Sequence, residues 1–116
     1  MSASRSIGVV IESAPGPSLA LREALDLAFA GLALDQRVSV FFLGDGVLHC
    51  LPPAASDGPD PARLIGSLPL YDPALVAVDA DALAARGHGT TTLRWPFERL
   101  STATIGDYLG AQDLLL

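Results

Sequence analysis

From Val38 to Val47 the chain reads Val-Ser-Val-Phe-Phe-Leu-Gly-Asp-Gly-Val, and no other stretch restricts the fold so strongly. Apart from Ser39, every residue from Val38 to Leu43 is β-branched, aromatic or aliphatic, with no polar alternation. Such a strand must be covered on both faces, which is the situation in a parallel sheet flanked by helices. Gly44-Asp45-Gly46 breaks the strand at its carboxyl end, the edge where open α/β sheets place ligands and chemistry. Asp45 to Leu51 is therefore the first place to look for function. A helical segment starting near Gly46 carries His49 and Cys50 in its first turns.

The rest of the chain supplies the layers that this strand needs. Ile7 to Ile11 is a second apolar run, ended by Pro15-Gly16-Pro17. Ser18 stands as an N-cap, and Leu21, Ala24, Leu25, Ala28, Phe29 and Leu32 recur at helical spacing over Leu19 to Leu32. Arg22, Glu23 and Asp26 fall off that stripe and form a solvated face. The proline-rich stretch from Pro52 to Pro61 is a loop, followed by a short helix over Ala62 to Leu68 that Asp60 caps and Pro69 stops. Leu75 to Val78 is a third buried strand. Asp79 or Asp81 caps a helix over Ala80 to Arg86, ended by Gly87, with His88 exposed in the turn. Thr90 to Trp95 reads as a strand near the sheet edge, Ser101 to Ala111 as a weak helix and Leu114 to Leu116 as a last short strand. The expected architecture is an α/β three-layer sandwich with a mostly parallel sheet of about five strands, one domain over residues 1–116.

Composition removes several classes of function. All seven basic residues are arginines, scattered along the chain, and the formal net charge is −6, which argues against nucleic-acid binding. A Walker-type phosphate loop needs a lysine, and the chain has none. The absence of lysine also argues against a phosphoaccepting receiver domain. A flavodoxin-like nucleotide or flavin module is disfavoured because Pro15 and Pro17 stand where backbone N–H groups would cradle phosphate. Cys50 is the single cysteine, so no internal disulfide forms and a reducing compartment is permitted. No apolar run reaches the length of a membrane span, and the expected compartment is the cytoplasm. Hydrophobic residues make up 50% of the chain, which for so small a domain points to surface hidden in an assembly.

Phe41-Phe42-Leu43-Gly44-Asp45-Gly46-Val47 followed by Leu51-Pro52, together with Leu83-Ala84-Ala85-Arg86-Gly87 and the closing Asp107 to Leu116, resembles the DsrE/DsrF/DsrH-like family, and most closely its TusC/DsrF branch. The resemblance implies a subunit of a hexameric sulfur-relay complex with DsrE/TusD-like and DsrH/TusB-like partners, serving tRNA thiolation or sulfur oxidation. It implies no cofactor. Sulfur transfer needs a nucleophilic thiolate at a strand end or helix start. The position matching the carrier cysteine of the family's catalytic branch is Asp79 or its neighbour, and a carboxylate cannot accept sulfur. The chain therefore fits the non-carrier role, with no catalytic residue unless Cys50 acts as one.

Cys50 is expected as a small buried hydrophobe, with a persulfide-carrying thiol as the alternative. Asp45 is expected as a turn former or helix cap, or else as a hydrogen-bonding residue in a subunit contact. Together Asp45, Gly46, His49 and Cys50 form the candidate partner-binding segment. His49 is expected on the rim, and with His88 far away in sequence no metal site is expected. Glu12 and Asp79 are expected at the ends of neighbouring strands, without a pocket to make them an acid/base pair.

Overall fold

The structure is a computed structural model describing residues 4–53 and 60–116. The strands are β1 (Ser6–Ile11), β2 (Arg37–Phe42), β3 (Leu75–Asp79), β4 (Glu98–Leu100) and β5 (Leu114–Leu115), and the α-helices are α1 (Ala20–Ala33), α2 (Ala80–Ala85) and α3 (Thr102–Gly110). A first 3-10 helix, Gly44–Cys50, follows β2, and a second, Pro61–Tyr71, precedes β3. The strands form one all-parallel sheet in the order β4-β3-β2-β1-β5. The three apolar runs are adjacent, as expected, with Val9 opposite Val40 and Val40 opposite Val76.

β2 is central, and both its faces are buried. Val38, Val40 and Phe42 join the core formed with Leu25 and Ala28 of α1, the two 3-10 helices and Leu83 of α2. Phe41 points the other way, to Ala77 and to Ile105 of α3. Burying one such side chain completely is worth about 1.5–3 kcal/mol, which is why an uninterrupted apolar run settles in the middle of the sheet.

Local signals place several ends correctly. The Asp79 carboxylate accepts from the N–H groups of Asp81 and Ala82 at 3.0 and 3.1 Å and caps α2. Asp60 accepts from the Ala62 N–H at 3.1 Å. Arg22, Glu23 and Asp26 are exposed on α1. The loop expected over Pro52 to Pro61 lies partly outside the described residues, at 54–59.

Other readings need correction. The cap position of α1 is Leu19, and Ser18 instead accepts from the Ala20 N–H with its hydroxyl at 3.0 Å. The segment from Pro61 is a 3-10 helix that runs through Pro69 to Tyr71, since a prolyl residue removes only one donor from such a ladder, and Asp72 ends it at φ 56°. His88 is half-buried, with Nδ1 3.2 Å from the Thr91 hydroxyl. Thr90 to Trp95 is a loop, and the edge strand is Glu98–Leu100. Leu93, Trp95 and Phe97 alternate as in a strand, but they pack onto the core, with Phe97 stacked on Phe42 at 6.2 Å between ring centroids. The Arg94 N–H is committed to the Cys50 carbonyl at 2.8 Å.

Phe42 carries no exposed surface and its ring meets Phe97, so Phe42→Ala should lower stability by about 3–5 kcal/mol. Urea unfolding followed by circular dichroism measures this; a loss under 1 kcal/mol contradicts a doubly covered β2.

Candidate functional site

The first 3-10 helix lies across the carboxyl ends of β1 and β2. The Leu43 N–H donates to the Ile11 carbonyl at 3.0 Å, and the Gly46 N–H donates to the Leu43 carbonyl at 2.8 Å. A Cβ on Gly46 would stand 1.9 Å from the Ile11 carbonyl oxygen, so only glycine permits this approach. The turn residue therefore fixes how closely the helix packs on the end of β1. Val47 and Cys50 enter the core as a result.

Cys50 has no exposed surface, and burial pushes its thiol up to about 12. A group that stays protonated at neutral pH is a poor nucleophile. His49, expected on the rim, is instead 6% exposed, and its Nε2–H donates to the Ser13 carbonyl at 2.8 Å. A carbonyl only accepts, so this bond fixes the Nε2–H tautomer. Burial lowers the pKa of His49 from its ordinary value, with the Ser13 bond opposing it. The ring is therefore neutral at physiological pH and pins the β1–α1 loop to the 3-10 helix.

Of the candidate partner-binding residues, Asp45 alone faces solvent; Gly46, His49 and Cys50 are buried. The Asp45 carboxylate meets the Arg86 guanidinium at 2.9 Å and ties the 3-10 helix to the end of α2. That pair, 41 residues apart, has no local sequence signal.

Asp79 is 5% exposed at the end of β3. Besides capping α2 it accepts the Thr102 hydroxyl at 2.8 Å, while the Thr102 N–H donates to Asp81 at 2.9 Å. Thr102 is 23 residues away and is legible only once β4 places α3 beside α2. Glu12 and Asp79 do not end neighbouring strands, because β2 lies between β1 and β3. Among the described residues no group of three or more His, Cys, Asp or Glu side chains forms a metal site.

Beside the 3-10 helix opens a cleft of about 780 Å³, walled by the β1–α1 loop, the start of α1 and the second 3-10 helix. Leu21, Leu48, Leu51 and Leu64 line it, and His49 reaches it from within.

A family model described as the DsrE/DsrF-like family matches residues 5–116. The chain belongs to the DsrE/DsrF-like family. Protein TusC homolog from Pseudomonas aeruginosa is 30% identical over 116 residues, covering 97% of this chain and 98% of the relative. Protein TusC from Klebsiella pneumoniae (strain 342) is 37% identical over 86 residues, covering 72% of each. The crystal structure of the ychN protein from E. coli superposes with a TM-score of 0.81 at 20% identity over 98% of both chains, which establishes the shared fold. Within this DsrE/DsrF-like chain, the carboxylate of Asp79 occupies the end of β3 and the only thiol is sealed in the core.

His49 makes stability depend on pH. Its folded-state pKa lies below the unfolded value of 6.5, so the unfolded chain takes up the proton first as pH falls. The stability held by neutral His49 is complete above that value and declines below it. The melting temperature should therefore fall between pH 7 and pH 5 more steeply in the wild type than in His49→Gln, as differential scanning calorimetry measures; parallel profiles refute the assignment.

Proposed function

We propose that the chain is a non-carrier subunit of a cytoplasmic sulfur-relay complex, serving tRNA thiolation or sulfur oxidation. In this reading residues 1–116 act as one domain that joins DsrE/TusD-like and DsrH/TusB-like subunits in a hexamer. The family membership and the TusC relatives support the relay. The observation that carries the non-carrier role is the state of Cys50. A thiol whose pKa is about 12 is ionised in only about one molecule in 100,000 at pH 7, whereas persulfide transfer requires the thiolate. Direct sulfur transfer through Cys50 is the alternative that this burial disfavours.

Asp79 supports the same role. Its carboxylate cannot accept a sulfane sulfur, and its acceptor positions are filled by the Asp81 and Ala82 N–H groups and by Thr102. Asp45 with Arg86 is the polar feature of the 3-10 helix available to a partner subunit, while Gly46, His49 and Cys50 shape the same segment from inside.

Two experiments test the reading. The folded chain should react slowly with iodoacetamide at pH 7, and Cys50→Val should cost under about 1.5 kcal/mol and leave sulfur transfer by the assembled complex unchanged. Rapid alkylation with a persulfide on Cys50 after exposure to a sulfur donor establishes the carrier role instead. Native mass spectrometry of the chain co-expressed with related small subunits should give a mixed assembly; a lone 12.0 kDa species under those conditions refutes it.

Asp79→Ala should lower stability by about 1–2 kcal/mol through loss of the helix cap, with relay activity retained once the protein is folded. Sulfur transfer reduced by orders of magnitude at an unchanged melting temperature contradicts the structural role.

A further inference from the structure

Residues 111–116 lie along the edge of β1 that β2 leaves open, and none of them is buried; Leu114, Leu115 and Leu116 keep 45–48% of their surface exposed. Polar contacts with β1 hold this segment at both ends. Ser6 gives the Asp113 carboxylate its N–H at 2.8 Å and its hydroxyl at 3.1 Å. The Leu116 N–H donates to the Gly8 carbonyl at 2.9 Å, and the Val10 N–H donates to the Leu116 carbonyl at 3.0 Å. The Ser6 N–H, and after it the hydroxyl, lower the pKa of Asp113, with Arg37 and Arg5 adding less, so this contact is charged at neutral pH.

One atom of the segment works against its docking. Among the described residues, Oε1 of Gln112 is sealed from solvent with no hydrogen-bond partner. Its Nε2 donates to the Tyr108 carbonyl at 2.9 Å; turning the amide over would set carbonyl against carbonyl and seal Nε2 instead, so one end of the group is unpaired in either orientation. A Cβ on Gly8 would stand 3.0 Å from Gln112 Cγ and 2.7 Å from Leu115 Cδ2, so these two side chains fill the hollow that the glycine leaves. A buried acceptor without a donor costs free energy, which is recovered when water reaches it. We propose that residues 112–116 are a releasable strap, latched by Asp113 on Ser6 and sprung by the unpaired amide of Gln112, whose lifting bares the outer edge of β1 while β1 to β4 stay paired. The strap goes beyond the sulfur-relay reading and does not depend on it. Its opening is a local, low-energy event of the kind that precedes global unfolding.

Neighbouring amides of β1 report on different partners. The Ile11 carbonyl receives the Leu43 N–H, so the odd-numbered residues of β1 face β2, whereas the Val10 N–H is given to Leu116 on the opposite edge. Hydrogen exchange followed by NMR on the purified full chain therefore tests the strap. After correction for intrinsic rates, the Val10 amide should exchange at least ~100-fold faster than the Val9 amide, because only Val10 is freed when the strap lifts. Equal protection of Val9 and Val10 overturns the proposal, and this comparison needs the wild type alone. Gln112→Met removes the unpaired amide and should slow Val10 exchange about tenfold, the equivalent of about 1.4 kcal/mol. Ser6→Ala removes the hydroxyl of the latch and should speed Val10 exchange by a similar factor. Val10 exchange that is unchanged or faster in Gln112→Met, or unchanged or slower in Ser6→Ala, overturns the roles given to these side chains and with them the strap.

Discussion

The contact between Gly46 and the carbonyl of Ile11 decides how the functional edge of the molecule is built. The chain leaving β2 crosses the end of β1 so closely that a single methyl group would collide with backbone oxygen. From that crossing follow the inward path of Val47 and Cys50, the reach of His49 to Ser13 and the position of Asp45 beside Arg86. The chemistry of the thiol is thus a consequence of backbone packing at Gly46: a cysteine brought into the core this way loses its ionised form to desolvation.

A second set of constraints acts at the end of β3, where two carboxylates organise two helix starts. Asp79 caps α2 and receives the Thr102 hydroxyl, and Asp81 receives the Thr102 N–H at the start of α3. Acidic groups are well placed there, because the N-terminus of a helix presents unpaired donors and positive potential. Asp79 is therefore a structural joint between the end of β3 and the starts of α2 and α3. Its replacement by cysteine would remove a helix cap as well as introduce a nucleophile.

The sheet was legible in the sequence because β1, β2 and β3 are apolar without alternation, a pattern that demands burial on both faces. Caps at Asp60 and Asp79 were legible because they act within three residues. Thr90 to Trp95 misled because its β-branched and aromatic residues suit an edge strand, whereas Leu93 and Trp95 use their apolar side chains to pack on the core from a loop. The site was read in outline only. Cys50 as a buried hydrophobe followed from its residue type, but the depth of His49 depends on Gly46 and Ser13 meeting across the strand ends, a long-range fact with no local mark. The relation of Glu12 to Asp79 depends on strand order, which alternation of strands and helices does not fix.

The sheet closes on its two most distant strands in sequence. β5 pairs with β1, and Asp113 receives both the N–H and the hydroxyl of Ser6, 107 residues earlier. During synthesis the edge of β1 opposite β2 therefore has no strand to pair with until β5 has been made. Contacts of such long separation form late and slowly, and an open apolar edge can pair with another chain in the interval. The pairing of β5 with β1, held by Asp113 and Ser6, covers that edge.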